Sequence, residues 1–302
     1  MPVPPTTTDP ASSAPTAVEG DFQPQPPGSL TVMGPLDGGP VVLGAPPRIL
    51  TFEAVGSTND LIRDLIERDE APDGLVIRAE RQTGGRGRSG RDWISPAGNL
   101  YHSFCVSVPD GPGKAAELSF VAAVALADAI SALCPQADPR CKWPNDLLCH
   151  GAKVSGILLE TAMPPQGSLD PALRVIVGIG INVREAPQAS VLQSRIPAGA
   201  LVDYGCEITA DLLFGHSIEA FRNRVETWRA RGFAPIREAW LGRALGLGGP
   251  VEARLGSGET LSGRFTELDP QGALMLEDAA GTVHRVLAGD VFFGPNSAPP
   301  IP

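Results

Sequence analysis

Aromatic residues make up only 5% of the 302 residues, with two Tyr and four Trp, and there are just four histidines. The histidines (102, 150, 216 and 284) are scattered, and the five cysteines (105, 134, 141, 149 and 206) contain no Cys-x-x-Cys pair. That spacing suits no metal finger, so no structural metal is expected. The simplest reading of the odd cysteine count is reduced, mostly buried thiols in a cytosolic protein. Positive charge is also scarce. No Lys or Arg precedes Arg48 and no apolar run of the required length lies there, so no secretory signal is expected, and the net charge is −10. An acidic balance argues against a general nucleic-acid or membrane-surface binder. The most apolar stretch, residues 115–133, carries Glu117 and Asp128 and reads as a core helix rather than a membrane span. These absences point to a soluble cytoplasmic protein.

Proline and glycine, in contrast, are abundant, at 31 and 35 residues. Residues 1–46 are rich in Pro, Ser, Thr and Gly and are expected to be disordered, because they bury too little apolar surface to offset the entropy of ordering. Val41-Val42-Leu43 is the one part of that leader suited to pack on a domain. Order is expected from about residue 47, with strands at 49–55, 75–80, 100–108, 140–149 (broken), 153–160 and 173–183. Helices are expected after Ser57-Thr58 and at 115–133, 209–231 and 234–244. In the strand 100–108, polar and apolar residues alternate, which predicts one half-exposed face. Strands and helices mix without βαβ alternation, so the expected class is α+β with a mixed or largely antiparallel sheet over residues 47–244. From 245 to 294, short alternating runs separated by Gly-rich turns predict a small all-β barrel. Residues 295–302 read as a loose tail.

The run from Gln82 to Trp93 contains four glycines and three arginines. Glycine permits sharp turns and close approach, and arginine presents a fork of donors matched to carboxylate and phosphate, so the loop is built to surround an anion. Gly85-x-Gly87-x-x-Gly90 also matches a dinucleotide fingerprint, but that motif must open a helix, and Trp93-Ile94-Ser95-Pro96 does not. A solvated surface turn is the plainer alternative for the loop alone. Three further motifs accompany it. Ser57-Thr58-Asn59 offers hydrogen-bonding groups, or simply an N-cap, at a helix start. In Lys142-Trp143-Pro144-Asn145-Asp146, proline fixes the backbone and presents Asn145 and Asp146 rigidly towards phosphate or Mg²⁺, or makes an ordinary turn. Lys153 opens an apolar strand containing Gly156, and Gly178-Ile179-Gly180-Ile181-Asn182 lies on the next, where strand glycines mark close approach.

In this order and spacing the motifs closely resemble those of the biotin–protein ligases: S-T-N, Q-x-x-G-R-G-R-x-G-R-x-W, K-W-P-N-D, K-x-x-G-I-L-x-E and G-I-G-x-N. The resemblance spans residues 49–294. It implies a catalytic domain of the biotin/lipoyl ligase, class II synthetase-like type followed by an SH3-like barrel. It further implies condensation of biotin with ATP and its Mg²⁺ to biotinyl-5′-AMP and pyrophosphate, then transfer to a lysine of a biotin carboxyl carrier domain. By the same resemblance Ser57, Thr58, Asn59, Gln82, Gly85, Arg86, Gly87, Arg88, Lys153 and Gly156 would hold biotin. Arg86, Arg88 and Lys153 would act in catalysis, and Arg91, Trp93, Lys142, Asn145, Asp146 and Asn182 would serve the nucleotide. Ser89 departs from members with a third arginine there. Residues 1–46 show no winged helix-turn-helix, so no DNA binding is expected; no membrane partner is expected either, and a homodimer is left open. The competing readings are a lipoate ligase or octanoyltransferase of the same fold, and a non-catalytic biotin-sensing or DNA-binding module.

Overall fold

The computed structural model describes Met1, residues 47–188 and residues 196–293. The leader, including Val41-Val42-Leu43, and the 295–302 tail lie outside the described residues. The first strand, β1 (Ile49–Val55), leads into helix α1 (Thr58–Glu67), followed by β2 (Val76–Gln82) and β3 (Leu100–Val108). A single turn, α2 (Pro112–Ala115), precedes the long helix α3 (Glu117–Leu133). Four strands follow: β4 (Arg140–Lys142), β5 (Asp146–Cys149), β6 (Ala152–Ala162) and β7 (Leu173–Ile181). Helices α4 (Ala210–Arg231) and α5 (Ala234–Leu241) close this part. The strands form a seven-stranded sheet in the order β1-β2-β3-β7-β6-β5-β4. Only β1 and β2 run parallel; every other pairing is antiparallel.

Each face of the sheet carries its own apolar cluster. On one face, Ile62 and Ile66 of α1 meet Leu75, Ile77, Cys105 and Ile176. On the other, α3 and α4 cover Phe104, Val106, Val177 and Ile179. The expectation that β3 has a half-exposed face is therefore corrected. Tyr101, Ser103 and Cys105 are fully buried, because α1 and the loop below β2 lie over the polar side of the alternation. Pro112–Leu133 is long and apolar enough to cross a membrane by composition, but 67% of its most apolar window is buried inside the fold.

The C-terminal strands β8 (Pro250–Arg254), β9 (Thr260–Leu268), β10 (Leu274–Glu277), β11 (Val283–Val286) and β12 (Asp290–Phe293) form an antiparallel sheet in the order β11-β10-β9-β8-β12. Their inner residues, among them Val251, Ala253, Phe265 and Val291, join the same core as α3 and α5. The Trp143 indole N–H donates to the Gly272 carbonyl at 3.0 Å, and Arg237 donates to the Leu268 carbonyl. Reduced thiols throughout are also corrected: Cys134, at the end of α3, is disulfide-bonded to Cys206. Five scattered cysteines gave no pairing signal, whereas the fold brings these two Cα atoms within 5.6 Å. Cys105, Cys141 and Cys149 are free and buried, and burial pushes their thiols up to about 12.

Candidate active site

Glycines on β6 and β7 clear a floor on the α1 side of the sheet. Gly180 lies in register between Tyr101 and Gly156, and Gly178 between Ser103 and Leu158. A Cβ on Gly180 would run into the Trp93 indole, and one on Gly156 would come within 3.0 Å of it. A Cβ on Gly178 would strike the Asn59 carboxamide. The strand glycines thus let two side chains lie flat on the sheet. Gly85 serves the loop in the same way, since its Cβ would meet Ser95 Oγ at 2.7 Å.

A chain of polar contacts fixes one wall. Gln82 Oε1 accepts from the Thr58 amide at 2.9 Å and from Thr58 Oγ1 at 3.1 Å, while Gln82 Nε2 donates to Ser95 Oγ. The start of α1 is therefore capped by a glutamine 24 residues away in sequence, and Ser57 makes no side-chain cap. Ser103 Oγ lies 2.7 Å from Thr58 Oγ1 and 2.6 Å from Asn59 Oδ1. Asn59 Nδ2 donates to Glu160 Oε2 at 2.7 Å, so both ends of this amide already have protein partners.

The loop is seated at three points. Arg86 forks onto Asp60, at 2.7 and 2.5 Å. Arg88 donates to Asn145 Oδ1 at 3.1 Å, and Asn145 Nδ2 donates in turn to the Ile157 carbonyl. Arg91 pairs with Asp290 of the C-terminal sheet. The Gly87 amide donates to the Arg91 carbonyl and closes the turn, in which Ser89 takes the left-handed conformation at φ 57°. Beneath the loop, Lys153 Nζ stands 2.7 Å from Asp146 Oδ1, a charge contact rather than a well-directed hydrogen bond, and 5.4 Å from the Trp93 ring centroid. Lys142 Nζ lies 3.7 Å from Asp146 Oδ2. Burial pulls the Lys142 pKa below its ordinary value, and Asp146 offsets only part of this. For Asp290, burial alone would raise the pKa, but the Arg91 hydrogen bond and charge, helped by Lys142 and Arg88, outweigh it and hold the pKa low. Asn182 Nδ2 donates to the Gly199 carbonyl, while its Oδ1 and the Trp93 indole N–H have no partner among the described residues. The Ser57–Asn59 wall, Gln82, the loop from Arg86 to Trp93, Lys142, Asn145, Asp146, Lys153, the floor glycines and Asn182 border one cleft of about 600 Å³, which also takes in Arg254 and Phe292 from the C-terminal sheet.

Residues 51–182 match the biotin/lipoate A/B protein ligase family, and residues 246–294 match the biotin protein ligase C-terminal domain. Over 225 residues the chain is 41% identical to a biotin–[acetyl-CoA-carboxylase] ligase of Paracoccus denitrificans, covering 72% of this chain and 90% of that protein. The chain belongs to the biotin protein ligase family. A bifunctional ligase/repressor of Escherichia coli is 32% identical over 264 residues, which is 86% of this chain and 76% of that one. The solved biotin protein ligase of Aquifex aeolicus in complex with biotin and ATP superposes with a TM-score of 0.67 at 26% identity, over 82% of this chain and 99% of that one.

Every candidate residue expected from the biotin protein ligase resemblance either borders the cleft or, like Gly85, shapes the loop that covers it. Sequence reasoning missed their partners: Asp60, Glu160, Ser95, Ser103 and Asp290. Asp60 and Glu160 each sit at the end of a recognised motif, directly after Ser-Thr-Asn and closing K-x-x-G-I-L-x-E, and an acidic residue there was the available signal. Asp290 carried none, being 199 residues from Arg91.

Proposed function

We propose that the cleft activates biotin with ATP and then passes it to a lysine of a biotin carboxyl carrier domain. One observation carries this reading: the four motifs, drawn from separate stretches of chain, meet around one cleft whose floor is glycine and whose walls hold Arg88, Lys153, Lys142 and Arg91. The relative from Aquifex aeolicus binds biotin and ATP in its solved complex, which supports the same reading. We take residues 47–244 as the catalytic unit and 245–294 as its barrel.

In this reading the wall of Ser57, Thr58, Asn59 and Gln82 receives the ureido ring of biotin. A dry, shaped site with a few convergent polar groups gives such a ligand its orientation. The biotin carboxylate lies by Arg88 and Lys153, where two cations offset its repulsion from the α-phosphate and stabilise the charge that develops as its oxygen attacks phosphorus. The bond to the β-phosphate breaks and pyrophosphate leaves, towards Arg91 and Lys142. The amine of the carrier lysine then attacks the acyl carbon, the bond to AMP breaks, and the amine nitrogen gives up a proton. No protein nucleophile is required, in keeping with thiols that burial keeps protonated. The indole N–H of Trp93 and Oδ1 of Asn182 are the unpaired groups that a nucleotide would satisfy. Asn145 and Asp146 do not suit a Mg²⁺ site of their own: two ammonium groups flank the carboxylate, and both ends of the Asn145 amide are engaged. Magnesium therefore arrives, in this reading, on the phosphates of ATP, and no step is assigned to it.

The test is biotin-dependent exchange of pyrophosphate into ATP, followed by labelling of a purified carrier domain. Exchange and labelling with biotin are expected. Exchange with lipoate but not with biotin would overturn the assignment.

A further inference from the structure

The cations of the cleft differ in what already faces them. Arg88 has a neutral side-chain partner, the Asn145 amide oxygen. Arg86 is the opposite case. Both of its terminal nitrogens lie on Asp60, and one of them is also 3.5 Å from Glu160 Oε1. Arg63, one turn along α1, bridges the same two carboxylates at 3.1 Å each. Two arginines and two carboxylates form a formally neutral quartet. Arg86 therefore has no unbalanced charge to offer a ligand carboxylate, and the charge it was expected to supply falls to Arg88 and Lys153.

We propose that Asp60 and Glu160 are a two-carboxylate anchor for Arg86, and that Asp60 is a positioning residue for retaining activated biotin. This rests on the reading of the cleft as the site of biotin activation. Arg86 occupies the neck of the loop: its backbone bridges Asp92, and the adjacent Gly85 carbonyl accepts from the Trp93 amide at 2.9 Å. Fixing Arg86 therefore fixes where Trp93 lies on the Gly156–Gly180 floor. The opposite side of the same neck is held by Gln82 on Thr58. Thr58 and Asp60 are two residues apart on α1, so one helix start holds both sides of the neck. Glu160 adds a second link, since its other oxygen orients Asn59. Asp60 touches no reacting group in the proposed chemistry and acts through Arg86. A bidentate pair within a charge network exceeds the small value of an isolated surface pair, and 1.4 kcal/mol corresponds to tenfold in an equilibrium.

The experiment loads the full-length protein with adenylate made from biotin and ATP labelled at the α-phosphate, removes free nucleotide, and follows loss of label from the protein. Asp60→Asn is expected to release the adenylate roughly three- to tenfold faster and to raise the KM for biotin in parallel, more than the KM for ATP. Asp60→Glu is expected to recover most of the retention. In the double variant Asp60→Asn/Arg86→Gln, release should be no faster than in Arg86→Gln alone, a coupling that general loosening of the fold does not produce. Wild-type retention in Asp60→Asn, or effects of the two substitutions that simply add, would overturn the anchor. A wild-type protein that forms no adenylate would instead overturn the biotin-activation reading on which it rests.

Discussion

Gly180 shows how much a missing side chain can specify. Its α-hydrogen faces the Trp93 indole, where any Cβ would collide with ring atoms that cannot bend away. Gly180→Ala must lift Trp93 off the sheet or push β7 back, and overpacking of this kind costs about 1–3 kcal/mol. If the displaced ring no longer borders the cleft correctly, kcat/KM for biotin-dependent pyrophosphate exchange should fall roughly ten- to a hundredfold, with only a modest drop in melting temperature. Steady-state exchange assays beside a thermal melt check this; full activity in the variant would mean that Trp93 is not part of the site. At this scale the sequence was most readable where a residue type is scarce in ordinary structure. Glycines inside a strand, arginines between glycines and a proline beside a tryptophan each demand a reason. The carboxylates that complete the site were only half legible: Asp60 and Glu160 stand beside and at the end of recognised motifs, but nothing in the sequence names Arg86 as their shared partner until the fold brings them to it.

Among the elements, β3 departs furthest from its sequence pattern. Alternation of polar and apolar residues ordinarily marks a strand with one wet face, yet helices cover both sides here. Its polar positions divide between two tasks. Ser103 joins the Thr58–Asn59 wall, whereas His102 faces α4, where its Nε2 meets Ser217 Oγ at 3.0 Å between Phe104 and Phe214. Burial, aided by the charge of Arg78, pushes the His102 pKa down to about 3, whereas an unfolded histidine titrates near 6.5. The folded state therefore holds the neutral ring while the unfolded state takes up a proton. His102 costs no stability above about pH 6.5, and stability is lost progressively as pH falls from there towards 3. One proton bound only by the unfolded chain corresponds to about 1.4 kcal/mol per pH unit. Urea unfolding of wild type and His102→Gln between pH 7 and pH 5 should give a wild-type loss steeper than that of the variant by about this slope, and parallel curves would mean that the ring is protonated in the fold. The sequence located the strand itself because its length and apolar content are local properties. The cover on its second face was hidden because it comes from α1, whose contact with β3 is settled only by the parallel pairing of β1 and β2.

For the molecule as a whole, two long-range ties decide how it unfolds. The Cys134–Cys206 bond closes a separation of 72 residues between the end of α3 and the turn before α4. Constraining the unfolded chain over such a loop is worth roughly 2–4 kcal/mol, so urea unfolding with and without a thiol reductant should differ by that amount, and identical midpoints would show that the bond contributes nothing. The second tie is apolar. The barrel was legible as a separate run of short strands, but its union with the seven-stranded sheet was not, because Phe120, Trp143 and Trp240 are consistent with burial in any core. In the fold, Phe120 packs edge-on against Phe233 and Trp240, Gly272 of the barrel leaves room for the Phe120 ring, and Trp143 donates to the Gly272 carbonyl. A core shared in this way should unfold as one unit. Tryptophan fluorescence and far-ultraviolet dichroism are therefore expected to give coincident urea transitions in the wild type. Trp143→Phe keeps an aromatic side chain, though a smaller one, and leaves a buried carbonyl without its donor, and should lower the unfolding free energy by at least about 1–3 kcal/mol while the two transitions still coincide. If the fluorescence and dichroism curves separate, in the wild type or in the variant, the barrel is a unit that melts on its own, and the burial of Trp143 against Gly272 does not bind the two sheets into one cooperative structure.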